Sequence, residues 1–97
     1  MNLELTGKVA VVTGASKGIG RAIALGLAAE GARVVAVARD TAAIDKVVAE
    51  ARDRGGRASL GISADLSQLS EVERVVATAR RECGRIDVLV NNAGAIR

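Results

Sequence analysis

The segment Thr13-Gly14-Ala15-Ser16-Lys17-Gly18-Ile19-Gly20 follows the apolar run Val9-Ala10-Val11-Val12 and leads into residues 18–30, where Ile19, Ala22, Ile23 and Leu27 recur at helical spacing. A short, continuous, β-branched run predicts a strand covered on both faces, and the 3.6-residue period predicts a helix behind it. Glycines in the connecting turn permit a tight strand-to-helix reversal and a close backbone approach to a ligand. The helix start adds unpaired N–H groups and a partial positive charge, which favour an anion. Such a turn cradles phosphate, and its expected ligand is a dinucleotide.

The same alternation continues along the chain. Gly31 supplies a left-handed stop, residues 33–38 form a second buried-type strand, and Asp40 or Thr41 caps a helix with Ile44, Val47, Val48 and Ala51 on one face. Gly55-Gly56 ends that helix, and a third strand is expected near residues 58–64. Ser67 or Ser70 is the expected cap of a third helix, Ser70 with Glu73 at capping-box spacing, and Leu69, Val72, Val75, Val76 and Ala79 form its stripe up to Gly84. Residues 86–90 read as a fourth strand that ends in Asn91-Asn92-Ala93-Gly94.

Strand–helix alternation with short turns predicts a parallel α/β sheet of four strands joined by right-handed crossovers, and the order expected of a doubly wound dinucleotide-binding fold is 3-2-1-4. The first two helices are expected on one face and the third on the other. One helix cannot cover the second face of four strands, and the fourth strand keeps a free edge, which buried-type strands do not tolerate. Residues 1–97 are therefore read as the incomplete, N-terminal cofactor-binding part of a longer single domain; the alternative is that other chains supply the missing cover.

Composition narrows the function classes. The chain contains no Phe, Tyr, Trp or Pro, so its core is built from Ala, Val, Leu and Ile, which suits a parallel α/β layer. The net charge of +3 is mild and no aromatic platform is available, which argues against nucleic acid as a partner. The arginine groups 52, 54, 57 and 80, 81, 85 read as solvated helix faces. Cys83 is the single cysteine and no histidine exists to activate it, so it reads as packing in a reducing compartment. No metal site is assigned. No segment has the length of a secretory core or a membrane span, so the expected location is cytoplasmic, with no membrane partner.

Four positions carry the chemistry. The spacing Gly14-x-x-x-Gly18-x-Gly20 differs from the G-x-G-x-x-G of ordinary dehydrogenases, yet the glycine roles persist, and no Gly-Lys-Ser/Thr of a nucleoside-triphosphate loop occurs. Dinucleotide-binding domains that take NAD place an acid at the end of the second strand, whereas this chain has Ala38-Arg39. Arg39, with Lys17, suits a 2′-phosphate by charge-assisted bonds, so NADP is expected over NAD; the competing reading is a surface arginine paired with Asp40 or another carboxylate. Asp65, before Leu66, stands where it can accept a bond from an adenine amino group or simply form a turn. Asn91-Asn92-Ala93-Gly94 lets backbone pass near a ribose while its amides tie neighbouring loops.

Taken together, Thr13-Gly14-Ala15-Ser16-Lys17-Gly18-Ile19-Gly20 and Asn91-Asn92-Ala93-Gly94 resemble the Thr-Gly-x-x-x-Gly-x-Gly turn and Asn-Asn-Ala-Gly motif of the short-chain dehydrogenase/reductase family. Within that family the nearest branch is the bacterial 3-oxoacyl carrier-protein and carbonyl reductases. The resemblance implies a Rossmann-type fold. It implies Gly14, Ser16, Lys17, Gly18, Ile19 and Gly20 around the pyrophosphate and adenosine ribose, and Arg39 at the 2′-phosphate. Asp65 and Leu66 are implied at the adenine, and Asn92, Ala93 and Gly94 near the cofactor ribose. It further implies hydride transfer between nicotinamide and a small carbonyl or alcohol substrate, and a homo-oligomer when full length. The family's catalytic Ser and Tyr-x-x-x-Lys have no counterpart here, so no catalytic residue is assigned and these 97 residues alone are expected to be inactive. The alternatives are a non-catalytic dinucleotide-binding module or sensor and, disfavoured for want of an acid after the second strand, an S-adenosylmethionine methyltransferase.

Overall fold

A computed structural model of the chain describes residues 4–92. Strand β1 (Val9–Thr13) leads into helix α1 (Gly18–Ala29), followed by β2 (Arg33–Ala38), α2 (Thr41–Arg54), β3 (Leu60–Ser63), α3 (Leu69–Cys83) and β4 (Val88–Val90). All strand pairs are parallel, and the sheet order is β3-β2-β1-β4. The chain steps outward from β1 to β3 and then returns to β4 on the other side of β1. That reversal opens a crevice beyond the carboxyl ends of the strands, where ligands of open α/β sheets bind.

Successive residues of each strand feed opposite faces, so the sheet separates two cores. Ala10, Val12, Val34 and Ala36 pack with Ala24, Leu25 and Ala28 of α1 and with Ile44, Val47, Val48 and Ala51 of α2. On the other face Val9, Val11, Val35, Val37 and Ile62 meet Val75 and Ala79 of α3. Every residue of β1 is buried, which is why its sequence is apolar without alternation.

Helix α2 follows its sequence signals closely. Asp40 Oδ1 accepts from Ala43 N at 3.1 Å, and Gly55, at φ 139°, ends the helix with its N–H on the Ala51 carbonyl. Helix α1 departs from the expected stripe: Ile19 is 73% exposed, Ala22 faces solvent, Ile23 and Leu27 are half-buried, and the buried row is Gly20, Ala24, Leu25 and Ala28. Three of these four buried residues are Gly or Ala, so α1 lies close to the sheet with Leu25 as the large side chain of that face.

Helix α3 departs in two ways. Neither Ser67 nor Ser70 caps it: Gln68 is the flanking residue, without a side-chain cap, because Ser67 is already bonded to Asp65. Of its expected stripe only Val75 and Ala79 are buried, while Leu69, Val72 and Val76 are exposed. Leu89 of the edge strand β4 is 66% exposed as well. Cys83 closes α3 half-buried against the second core, and burial pushes its thiol pKa upward, away from nucleophilic reactivity.

Two of the arginines expected to be solvated are structural. Arg52 Nε donates to the Ser59 carbonyl at 2.8 Å, fixing the approach to β3. Arg85 donates from Nε and Nη2 to Asp87 Oδ1 at 2.9 and 2.7 Å. Asp87 in turn accepts from Val9 N through Oδ2 at 2.9 Å, and its own N–H donates to the Val9 carbonyl at 2.9 Å. One carboxylate thereby aligns the start of β4 with the start of β1.

The Arg85 bonds, then the Val9 N–H, hold the Asp87 carboxyl below its ordinary value of 3.8. A carboxyl whose pKa is lower folded than unfolded stabilises the fold above the unfolded value, and that contribution disappears as the pH falls through the folded value. Denaturant titrations of the intact protein at a series of pH values are expected to show stability falling below about pH 4. Asp87→Asn is expected to lower stability at neutral pH and to flatten that acid limb.

Candidate dinucleotide site

The turn after β1 reverses the chain at Gly14, whose φ of 62° is left-handed, and Gly18 adopts φ 60° at the start of α1. Ala15 N donates to the Val37 carbonyl at 3.2 Å, which binds the turn to the end of β2. A Cβ on Gly18 would meet nothing within 4 Å, so the loop is open on that side. Gly20 is the opposite case: a Cβ there would run into the Gly14 carbonyl oxygen and lie 2.8 Å from Asn92 Nδ2. The residue serves by having no side chain, and the group it makes room for is the turn itself.

The end of β4 is joined to that turn by side chains. Asn92 Nδ2 donates to the Gly14 carbonyl at 3.4 Å, and Asn92 N donates to Thr13 Oγ1 at 2.9 Å. The Thr13 hydroxyl lies 3.1 Å from Asn91 Oδ1 and 3.3 Å from the Val90 carbonyl, both acceptors for its proton. Thr13 thus bridges adjacent parallel strands at their carboxyl ends, where ladder bonds stop.

A cleft of about 670 Å³ opens at this rim, lined by Gly14, Ser16 and Lys17 from the turn, Arg39 after β2, and Asp65 and Leu66 after β3. Helix α1 points its N-terminus here with neither a side-chain cap nor an acidic residue in its first turn. By contrast α2 is capped by Asp40, and α3 carries Glu71 in its first turn. The uncapped amides of α1 suit an anion. Arg39 is exposed and its guanidinium makes no salt bridge or hydrogen bond among the described residues; Asp40, its expected rival partner, is occupied in capping α2.

Asp65 Oδ1 accepts from the Ser67 hydroxyl at 2.8 Å and from Ser67 N at 3.0 Å, which makes it a turn former. Those two bonds hold its carboxyl below the ordinary 3.8, and the Arg39 charge adds a smaller lowering, so it is an anion at neutral pH. Six of the expected residues therefore converge on one cleft. Ile19 lies exposed on the first turn of α1, Gly20 lies beneath the glycine turn, and Asn92 braces that turn instead of lining the cleft. Ala93 and Gly94 lie outside the described residues.

Sequence reading missed Thr13 as the bridge between β1 and β4; the signal was a polar residue closing an otherwise apolar strand. It also missed the links between the loops after β2 and β3. Ser63 Oγ donates to the Arg39 carbonyl at 2.9 Å, and Arg74 Nη2 donates to the Ser63 carbonyl at 2.7 Å. A second hollow, of about 370 Å³, lies at the opposite rim beside Arg33, Arg57 and Arg85, away from every motif residue.

Comparison with known proteins agrees with this geometry. The profile of the family described as short chain dehydrogenase matches residues 8–97. A 3-oxoacyl-[acyl-carrier-protein] reductase from Synechocystis is 49% identical over 94 residues, covering 96% of this chain and 38% of that protein. Among solved structures, L-sorbose reductase from Gluconobacter frateurii, complexed with NADPH and L-sorbose, superposes with a TM-score of 0.90 at 41% identity, over 98% of this chain and 36% of that one. An NAD+-bound xylitol dehydrogenase superposes with a TM-score of 0.89 at 36% identity, over 94% of this chain and 35% of that one. The chain thus spans little more than a third of the length of these relatives.

Because Thr13 supplies the acceptor for Asn92 N, Thr13→Val keeps the strand's shape but leaves that half-buried N–H unpaired. The substitution is expected to destabilise the intact protein by about 1–3 kcal/mol, measured by urea unfolding. The braced glycine turn and the Asn-Asn end of β4 are one structure, and with the profile match over residues 8–97 they establish that this chain belongs to the short-chain dehydrogenase family.

Proposed function

We propose that these residues form the NADP-binding part of a short-chain oxidoreductase that exchanges hydride with a small carbonyl or alcohol substrate. The observation that carries the reading is the Arg39 guanidinium, without an ion pair or hydrogen bond among the described residues, on the wall of the cleft into which the uncapped N-terminus of α1 opens. In this reading the amides from Ser16 to Ile19 hold the diphosphate, with Gly14 and Gly18 letting the backbone come close and Gly20 keeping α1 against the turn. Lys17 and Arg39 hold the 2′-phosphate, Arg39 as a planar fork that meets phosphate with two parallel bonds.

Asp65 and Leu66 bound the adenine, with the Asp65 carboxylate as acceptor for its amino group. On the family resemblance Asn92, Ala93 and Gly94 are assigned to the cofactor ribose, Asn92 by bracing the turn beside it. The nicotinamide, when bound, supplies the hydride chemistry, and this chain's residues bind and orient it. No tyrosine or histidine occurs in the sequence, so proton exchange with the substrate is assigned to none of these residues. The site suits NADP because the position that carries an acid in NAD-binding relatives of this fold is Ala38, and Arg39 follows it. NADPH in the complex of the sorbose reductase supports that choice, whereas NAD+ in the xylitol dehydrogenase marks the alternative.

The test is binding of NADP and NAD to the intact protein. Arg39→Ala is expected to weaken NADP binding about 10- to 100-fold, the loss of a hydrogen-bonded charge contact, with little change for NAD. Ala38→Asp is expected to lower NADP affinity further by charge repulsion and to leave NAD the preferred ligand. Unchanged preference in both variants would remove Arg39 from the site.

A further inference from the structure

We infer that Ser63 is a positioning residue for NADP selectivity, acting through the backbone of Arg39; the inference rests on the proposal that Arg39 meets the 2′-phosphate. The loop carrying Arg39 is pinned at three successive residues. The Ala38 carbonyl accepts from Ala64 N at 3.0 Å, the Arg39 carbonyl accepts from Ser63 Oγ at 2.9 Å, and the Asp40 side chain is bonded into the first turn of α2. Of these bonds, only the one at Arg39 comes from a side chain that neither continues the sheet nor caps a helix.

The strut is itself anchored. Ser63 is the last residue of β3 and pairs with Ala38 in the parallel ladder, and its carbonyl accepts from Arg74 Nη2 at 2.7 Å. Arg74 is held in turn by the Glu71 carboxylate, through Nε to Oε2 and Nη2 to Oε1, both at 2.9 Å. The hydroxyl thus projects from a peptide fixed on the sheet side by β2 and on the helix side by α3. A long, exposed arginine that makes no ion pair or hydrogen bond among the described residues loses much conformational freedom on meeting a ligand. Fixing its peptide reduces that loss, and the benefit falls only on a ligand the guanidinium touches.

Ser63 has no place in the diphosphate cradle. Its hydroxyl is therefore expected to separate the two cofactors, because NAD lacks the group that Arg39 grips.

The experiment is calorimetric binding of NADP and NAD to the intact protein and to Ser63→Ala, Ser63→Thr, Arg39→Ala and the Ser63→Ala/Arg39→Ala double variant. Ser63→Ala is expected to weaken NADP binding about threefold to tenfold, the scale of one neutral hydrogen bond, and to leave NAD binding within twofold. Ser63→Thr keeps the hydroxyl and is expected to restore NADP affinity. In the Arg39→Ala background Ser63→Ala is expected to add nothing. Equal losses for both cofactors, no loss for either, or a full additional loss without the Arg39 side chain would overturn the inference while leaving the NADP reading intact. An Arg39→Ala variant with unaltered selectivity would overturn both.

Discussion

The carbonyl oxygen of Gly14 is approached from two sides, by the amide of Asn92 and by the bare Cα of Gly20, and the architecture of the carboxyl rim depends on that meeting. It joins the turn after β1, the second residue past β4 and the first turn of α1 in one small volume. Thr13 reinforces the joint with a hydroxyl that serves Asn92 N on one side and the Val90–Asn91 segment on the other. At the amino ends of the same two strands Asp87 does comparable work, so β1 and β4 are fastened at both ends. The short, half-exposed strand β4, paired with β1 alone among the described residues, is held by these polar clamps together with the packing of Val88 and Val90 on the first core.

The electrostatics of the cleft follow from where the carboxylates are already committed. Asp40 caps α2, and one oxygen of Asp65 is taken up by Ser67. Arg39, directly before Asp40 in sequence, is left without an ion pair among the described residues, on the same wall as the uncapped start of α1. A site whose Lys17 and Arg39 make no ion pair among the described residues, while its anions bond locally, suits a ligand with several phosphates. Such pairings at an exposed surface contribute little to folding, so the arrangement is better understood through ligand than through stability.

Much of this was legible in the sequence because the local signals were strong and mutually consistent. The strand–helix alternation, the glycine turn and the buried face of α2 followed from periodicity and glycine placement, Asp40 was one of two candidate caps, and the strand order followed from the dinucleotide fold to which the turn pointed. The buried face of α1 was misread because Gly20, Ala24 and Ala28 carry little hydrophobic weight, yet their small size is what admits the helix to the sheet. The cap of α3 was misread because Asp65 and Ser67 satisfy each other, a competition that spacing rules do not resolve. The roles of Thr13, Ser63 and Arg74 were invisible because each depends on a partner from another element, brought near only by the fold.

The central claim is that the amides at the start of α1 hold a dinucleotide's diphosphate. Backbone amide chemical shifts of the isotope-labelled intact protein, followed during titration with NADPH, test it most directly. The account predicts that the largest shifts fall on Ser16, Lys17, Gly18 and Ile19, with smaller ones at Arg39 and Asp65. Saturable binding that leaves those four amides unmoved, or shifts confined to the opposite rim around Arg33, Arg57 and Arg85, would contradict it.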